Sequence, residues 1–212
     1  MPKKPTIIHF IRHGKTQNPQ QIIKGRLKGF PLRVDGMVEV KKLADFIKKG
    51  HNIALIFYSP LLRARQTAEI LSVNLGEVKI KPAEDLNEWD VKIWEGRPLL
   101  AVQKTKEWVI YLNQIMALNN LKIGERPKQV IARMLKCVKN ILRTRPGQEI
   151  ICVSHEDPIK FIRCELEKKD PNKYFHKIKC DQPSITTFIF GGQKLKQVKY
   201  KSFLDGQPEF LQ

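Results

Sequence analysis

Cysteine is scarce in this chain. Cys137, Cys152, Cys164 and Cys180 are the four in 212 residues, and no C-x-x-C pair occurs among them. That excludes a disulfide-stapled secreted scaffold and points to reduced core thiols in a cytoplasmic protein. Long apolar runs are missing too: the stretch at residues 7–11 is too short for a signal segment or a membrane span. Internal repeats and low-complexity linkers are absent, which argues against solenoid and linker-rich architectures. Acidic residues are few, 21 against 39 Lys and Arg, for a formal net charge of +18. Such a charge attracts polyanions. The lysines, however, are spread along the chain, with no aromatic RNA-binding pattern and no long basic tail. A solvated lysine-rich surface is the favoured reading over nucleic-acid binding, with a polyanion-binding role as the alternative. Histidines at metal-ligand spacing are also missing. His9, His51 and His176 are scattered along the sequence, so neither a metal nor a cofactor is expected. His9, flanked by apolar residues, reads as a satisfied core histidine. Gly14-Lys15-Thr16 resembles the end of a P-loop, but His9 stands where that loop needs its first glycine.

What is present is an alternation of strand and helix patterns. Residues 6–12 read as a strand. Val40, Leu43, Ala44 and Ile47 form a helical face within 36–49, ended by Gly50. Ile53–Phe57 is a continuous apolar strand of the doubly covered kind. Ser59-Pro60 has the form of an N-cap with proline at the first helical position, leading a helix through Leu61, Ala64, Ala68 and Leu71. Residues 98–118 are predicted helical, Pro127 opens a further helix, and 149–153 form a third buried strand. Asp157-Pro158 starts the next helix, and 184–190 with 195–200 make a hairpin across Gly191-Gly192. This order predicts a three-layer α/β/α sandwich around a mostly parallel sheet. The length fits a single domain over 1–212, with 97–126 as a helical lid or cap excursion.

Chemistry gathers at the predicted strand ends. Arg12-His13-Gly14 follows the first strand, Ser59 and Arg63 follow the second, and His155 follows the third. Parallel strands place their carboxyl ends together, so Arg12, His13, Arg63 and His155 should meet at one edge of the sheet. Two arginines and two histidines in one crevice suit a phosphate dianion. The amide ends of helices starting near Pro60 and Pro158 would add positive potential.

These residues also carry a family resemblance. Arg12-His13-Gly14-Lys15-Thr16, Gly25-Arg26, and Ser59-Pro60-Leu61-x-Arg63-Ala64-x-Gln66-Thr67-Ala68 resemble the histidine phosphatase superfamily, whose fold is called phosphoglycerate mutase-like. Leu86-Asn87-Glu88 with Trp94-Glu95-Gly96, and Val153-Ser154-His155, resemble its later blocks. The resemblance implies a metal-independent phosphomonoesterase acting through a phosphohistidine on a small phosphorylated metabolite. His13 would be the nucleophile, with its other ring nitrogen held by an acceptor. Arg12, Arg63 and His155 would bind phosphate oxygens, and Glu88 would be proton donor and acceptor. Asn18, Arg26 and Glu156 are further phosphate- or substrate-binding candidates. Three positions depart from the family pattern: Asn18-Pro19 shifts the loop asparagine by one residue, Lys92 stands in a common glycine slot, and Glu156 replaces the glycine after the second histidine. The alternatives are a cofactor-dependent phosphoglycerate mutase and a weakly catalytic phospho-ligand-binding protein. Mutases of the superfamily carry Arg-His-Tyr-Gly after the acidic residue, whereas Glu88 is followed by Trp89-Asp90-Val91-Lys92. That difference favours water as the final acceptor.

Overall fold

The computed structural model describes residues 4–204; residues 1–3 and 205–212 of the expected 1–212 domain lie outside the described residues. Strand β1 (Thr6–Arg12) is paired on both sides, parallel to β4 (Glu149–Ser154) and antiparallel to β5 (Ser184–Gly191). Beyond β4 lie β2 (Ile53–Tyr58) and the short β3 (Ile80–Pro82); beyond β5 lies β6 (Lys194–Ser202). The sheet order is β3-β2-β4-β1-β5-β6, with the first four strands parallel.

Side chains alternate across this sheet and feed two cores. Ile8, Phe10, Ile150, Cys152 and Phe188 pack with helices α5 (Pro127–Thr144) and α6 (Glu156–Leu166). Ile11, Ile56, Ile151 and Val153 face α1 (Val34–Gly50) and α2 (Leu62–Asn74). Each fully buried large side chain contributes about 1.5–3 kcal/mol relative to an exposed one. Helices on both faces leave β1 and β4 buried along most of their length, around the apolar stretches at 7–11 and 150–153. β6 is the exposed edge, and its lysines at 194, 196, 199 and 201 discourage further strand pairing.

Several elements differ from the sequence expectation. Ala54 is exposed, because the β2–β4 register shifts between Ile53 and Leu55. Helix α2 begins at Leu62, not at Pro60, because Ser59 is buried and its hydroxyl bonds His155 Nε2 at 2.8 Å. Helix α6 starts one residue early, at Glu156. The expected helix over 98–118 is broken into α3 (Leu99–Val102), α4 (Lys106–Asn113) and a 3-10 segment at Ile115–Asn120. Thr105 causes the first break: its hydroxyl accepts from the Trp108 amide at 3.2 Å and caps a new helix. Val102, Ile115, Leu118 and Ile123 of this excursion bury into the same core as Ile8 and Phe10. The short helix α7 (Pro171–Tyr174) and β3 have no counterpart in the sequence reading.

Candidate active site

The carboxyl ends of β1, β2 and β4 meet as the topology dictates. The chain leaves β1 at Arg12 and turns at His13-Gly14, where there is no room for a side chain on Gly14. A Cβ there would lie 2.9 Å from Val40 and 3.0 Å from the Gly36 carbonyl. Gly14 N–H donates to Thr67 Oγ1 at 3.1 Å, which ties the loop to α2. The His13 ring is thereby fixed against two neighbours. Its Nδ1 lies 2.8 Å from the Gly14 carbonyl and 3.0 Å from the Gln182 amide nitrogen, which donates to that same carbonyl at 2.9 Å. A hydrogen on Nδ1 satisfies the carbonyl and leaves the Nε2 lone pair unprotonated. Burial, with Arg63, Lys24 and Arg12 nearby, holds the ring well below the usual histidine pKa.

His155 stands beside it, ring centroids 5.0 Å apart. Ser59 engages its Nε2, and its Nδ1 faces Glu88 Oε2 at 3.7 Å. Burial, then Arg63, keeps this ring neutral as well. Arg63 is 2% exposed and donates to the Gly25 carbonyl at 2.7 Å. Arg12 donates to the Cys180 carbonyl at 2.5 Å and pairs with Glu156 at 2.7 Å. Arg12 Nε, Arg63 Nε and His155 Nδ1 are buried without a hydrogen-bond partner among the described residues. Unsatisfied buried donors are uncommon; Arg12 and Arg63 line one cavity and suit an anionic oxygen cluster, while His155 stands behind His13 and is not in the cavity wall.

Glu88 completes the group. Its Oε1 accepts from the Trp89 amide at 2.8 Å. Burial raises its pKa, and Arg63 opposes that rise without reversing it. The loop carrying Glu88 is clamped from behind. Arg133 donates to the carbonyls of Asp85 at 2.8 Å, Asn87 at 2.7 Å and Glu88 at 3.2 Å. Arg26 donates to the Glu88 carbonyl at 2.7 Å, and both arginines pair with Glu125.

Arg12, His13, Arg63 and Glu88 line a cavity of about 370 Å³. Its outer wall is apolar and aromatic: Trp89, Trp94, Trp108 and Tyr111. A phosphate cradle, a free histidine nitrogen and a carboxyl with raised pKa equip one cavity for phosphoryl transfer. The family description that matches residues 8–202 is the histidine phosphatase superfamily, branch 1. The chain belongs to this superfamily.

The chain is 30% identical over 208 residues to an uncharacterized protein of Mycobacterium tuberculosis, covering 94% of this chain and 97% of that one. It is 27% identical over 169 residues to the uncharacterized phosphatase PhoE of Bacillus subtilis, covering 78% and 80%. Among solved structures, it is similar to the phosphoserine phosphatase of Entamoeba histolytica in complex with 3-phosphoglyceric acid. The TM-score is 0.78 at 25% identity, covering 93% of this chain and 98% of that one.

Three predicted binding residues of the chain have other partners. Asn18 does not line the cavity: its side chain both donates to and accepts from the Ile22 backbone, at 3.0 and 3.2 Å. Arg26 lies behind Glu88 in the clamp rather than in the cavity wall. Glu156 does line it, but one carboxylate oxygen pairs with Arg12 and the other with Lys160. Lys92 points to solvent.

Sequence reasoning missed Lys24 and gave Asp157 only a helix-starting role. Lys24 lines the cavity, and burial together with Arg63 lowers its pKa to about 8. Burial, with Glu88 and Glu156 near, pushes Asp157 up to about 8, and Tyr111 donates to it at 3.5 Å. Neither residue sits in a strand-end motif. For Lys24 the one available signal was its place beside Gly25-Arg26. Gly25 takes a φ of +43°, and the Glu95 carboxylate packs where its Cβ would be.

One expectation about histidines is corrected. His9 and His51 are not scattered: the fold brings them together with Glu149. Nor is His9 fully satisfied, since its Nε2 has no hydrogen-bond partner among the described residues.

Proposed function

We propose that the protein is a metal-independent phosphomonoesterase that hydrolyses a small phosphorylated metabolite through a phosphohistidine at His13. The observation that carries this reading is the His13 ring. Its Nδ1 is held by the Gly14 carbonyl, and its Nε2 is neutral beside Arg12, Arg63 and His155. His13 Nε2 attacks phosphorus in line, forming an N–P bond as the ester P–O bond breaks. The Glu88 carboxyl gives its proton to the leaving oxygen. Arg12, Arg63 and Lys24 offset the charge on the equatorial oxygens, and His155 donates to one of them. Water then attacks the phosphohistidine, and the Glu88 carboxylate takes its proton. Inorganic phosphate leaves, and the nitrogen lone pair returns to His13.

The aromatic wall supports a leaving group with an apolar or aromatic body, small enough for a cavity of about 370 Å³. The likeness to a phosphoserine phosphatase supports a small phosphorylated substrate. No helix of the described residues is long and apolar enough to cross a membrane. We infer a cytoplasmic setting, supported by four buried free cysteines.

The test is phosphate release from an aryl phosphate, without a bisphosphoglycerate primer and with chelator present. His13→Ala should lower that release by on the order of 10⁴-fold or more while the protein stays folded. Undiminished hydrolysis by the variant would remove the phosphohistidine step. Activity that requires the primer would turn the assignment to a mutase.

A further inference from the structure

At the opposite end of the parallel strands, on the α1 face, three donors converge. His9 comes from the middle of β1, His51 follows the last turn of α1, and Glu149 opens β4. Glu149 Oε2 lies 2.9 Å from His51 Nδ1 and 3.6 Å from His9 Nε2. The two imidazoles meet edge to face with centroids 4.6 Å apart. On its other side, His9 Nδ1 is engaged by Thr187 Oγ1 at 2.9 Å. His9 Nε2 is fully buried, and its distance to Glu149 is too long for a hydrogen bond.

We propose that His9, His51 and Glu149 form a binding site for a divalent transition-metal ion, best suited to Zn²⁺, separate from the phosphate cavity. Two imidazole nitrogens with one carboxylate oxygen are a zinc donor set. With metal–ligand bonds of about 2.0–2.1 Å, neighbouring ligand atoms sit about 2.9–3.4 Å apart, close to the two spacings around Glu149. All three donor atoms lie within 4.8 Å of one another, and His51, partly exposed, has the room to close the set. Thr187 supplies the outer contact that zinc-binding histidines need. By accepting from Nδ1–H it fixes the tautomer whose Nε2 lone pair faces the other two ligands. An adjoining cavity of about 610 Å³ has His51 and Thr187 in its wall, so solvent reaches the site, although Arg163, Lys199 and Lys201 line the same cavity.

The experiment is equilibrium dialysis of the metal-free full-length protein against Zn²⁺, with bound metal counted by elemental analysis. It is repeated with Co²⁺ to record visible bands. One ion per chain is expected, with a Co²⁺ spectrum free of thiolate charge transfer and a Tm that rises on adding Zn²⁺. His51→Ala and Glu149→Gln should each weaken binding by more than about tenfold and abolish the Tm rise, since even outer-contact changes at metal sites cost that much. His13→Ala should leave binding intact. Both metal-site variants should release phosphate at the parent rate, because neither residue touches the phosphate cavity. If one variant does not fold, the other decides. A wild-type protein that binds no Zn²⁺ would overturn the proposal. So would binding unchanged in both variants, or binding lost in His13→Ala instead.

Discussion

The two ends of the active cavity are built by different means. At the phosphate end, Arg12, His13, Arg63 and His155 come from strand ends or the first turn of a following helix. Backbone bonds and close packing lock them, as where Gly14 meets Thr67 and Gly36. At the leaving-group end of the proposed reaction, Trp89 and Trp94 come from irregular chain after β3, and Trp108 and Tyr111 from α4. These rings hold one another, with Trp94–Trp108 centroids at 5.8 Å and Trp108–Tyr111 at 4.9 Å. In the proposed reaction the sheet positions the charges that meet phosphorus, and the chain between β3 and α5 shapes the room for what the phosphate is attached to. Glu88 sits at the seam and serves both ends.

The sharpest way to probe that seam is Glu88→Gln. It should lower kcat on alkyl phosphates by about 10²–10⁴-fold, and on an aryl phosphate with a good leaving group much less. Equal losses on both, measured by phosphate release, would show that Glu88 serves only the phosphate end. Next in size is Arg133→Ala, which removes the clamp without touching substrate. Unfolding in urea should show a loss of about 3 kcal/mol, as expected when one partner of a buried pair is removed. Its kcat should fall by up to about 10²-fold through misplacement of Glu88, with KM little changed. Trp108→Ala tests the independence of the outer wall. It should raise KM about tenfold for substrates with apolar bodies, while inhibition by inorganic phosphate stays as it was. Weaker phosphate inhibition in that variant would mean that the two ends are coupled. The smallest effect belongs to Lys24. As pH rises through about 8 the free enzyme loses the Lys24 charge, so kcat/KM should fall there. Lys24→Met should flatten that fall in a pH profile and lower kcat/KM only about threefold at neutral pH, since Arg12 and Arg63 remain.

The same contrast explains what the sequence reveals. A buried strand followed by Arg12-His13-Gly14, or by His155, is legible because parallel topology converts sequence order into spatial convergence. Arg63 is legible for the same reason, although Ser59 proved to be a buried partner of His155 rather than a helix cap. The excursion is not legible in this way. Its apolar residues repeat at helical spacing, but Thr105 diverts the chain, and tertiary packing of Trp94, Trp108 and Tyr111 sets the path. Arg26 shows a subtler limit. A motif arginine can be recognised, yet whether it faces substrate or braces a neighbouring loop depends on Glu125, ninety-nine positions away. His9 and His51 likewise meet only because α1 returns the chain to the start of β1's neighbours.

The clamp around Glu125 has a consequence for how this scaffold can change. Trp89 Nε1 donates to the Glu125 carbonyl at 2.7 Å, and Arg26 and Arg133 tie the same residue to the Glu88 backbone. The chain between residues 89 and 125 is therefore a loop whose two ends are already joined. For a flexible closed loop, each doubling of length adds only about 0.6 kcal/mol of closure entropy. Insertions at exposed positions there, such as Gln103-Lys104, are cheap as long as the buried Val102, Ile115, Leu118 and Ile123 are kept, and they leave the fastening point of Glu88 where it was. On the proposed reading, descendants of this chain could change the compound they accept by editing those exposed turns, with the residues around His13 and Glu88 left as they are.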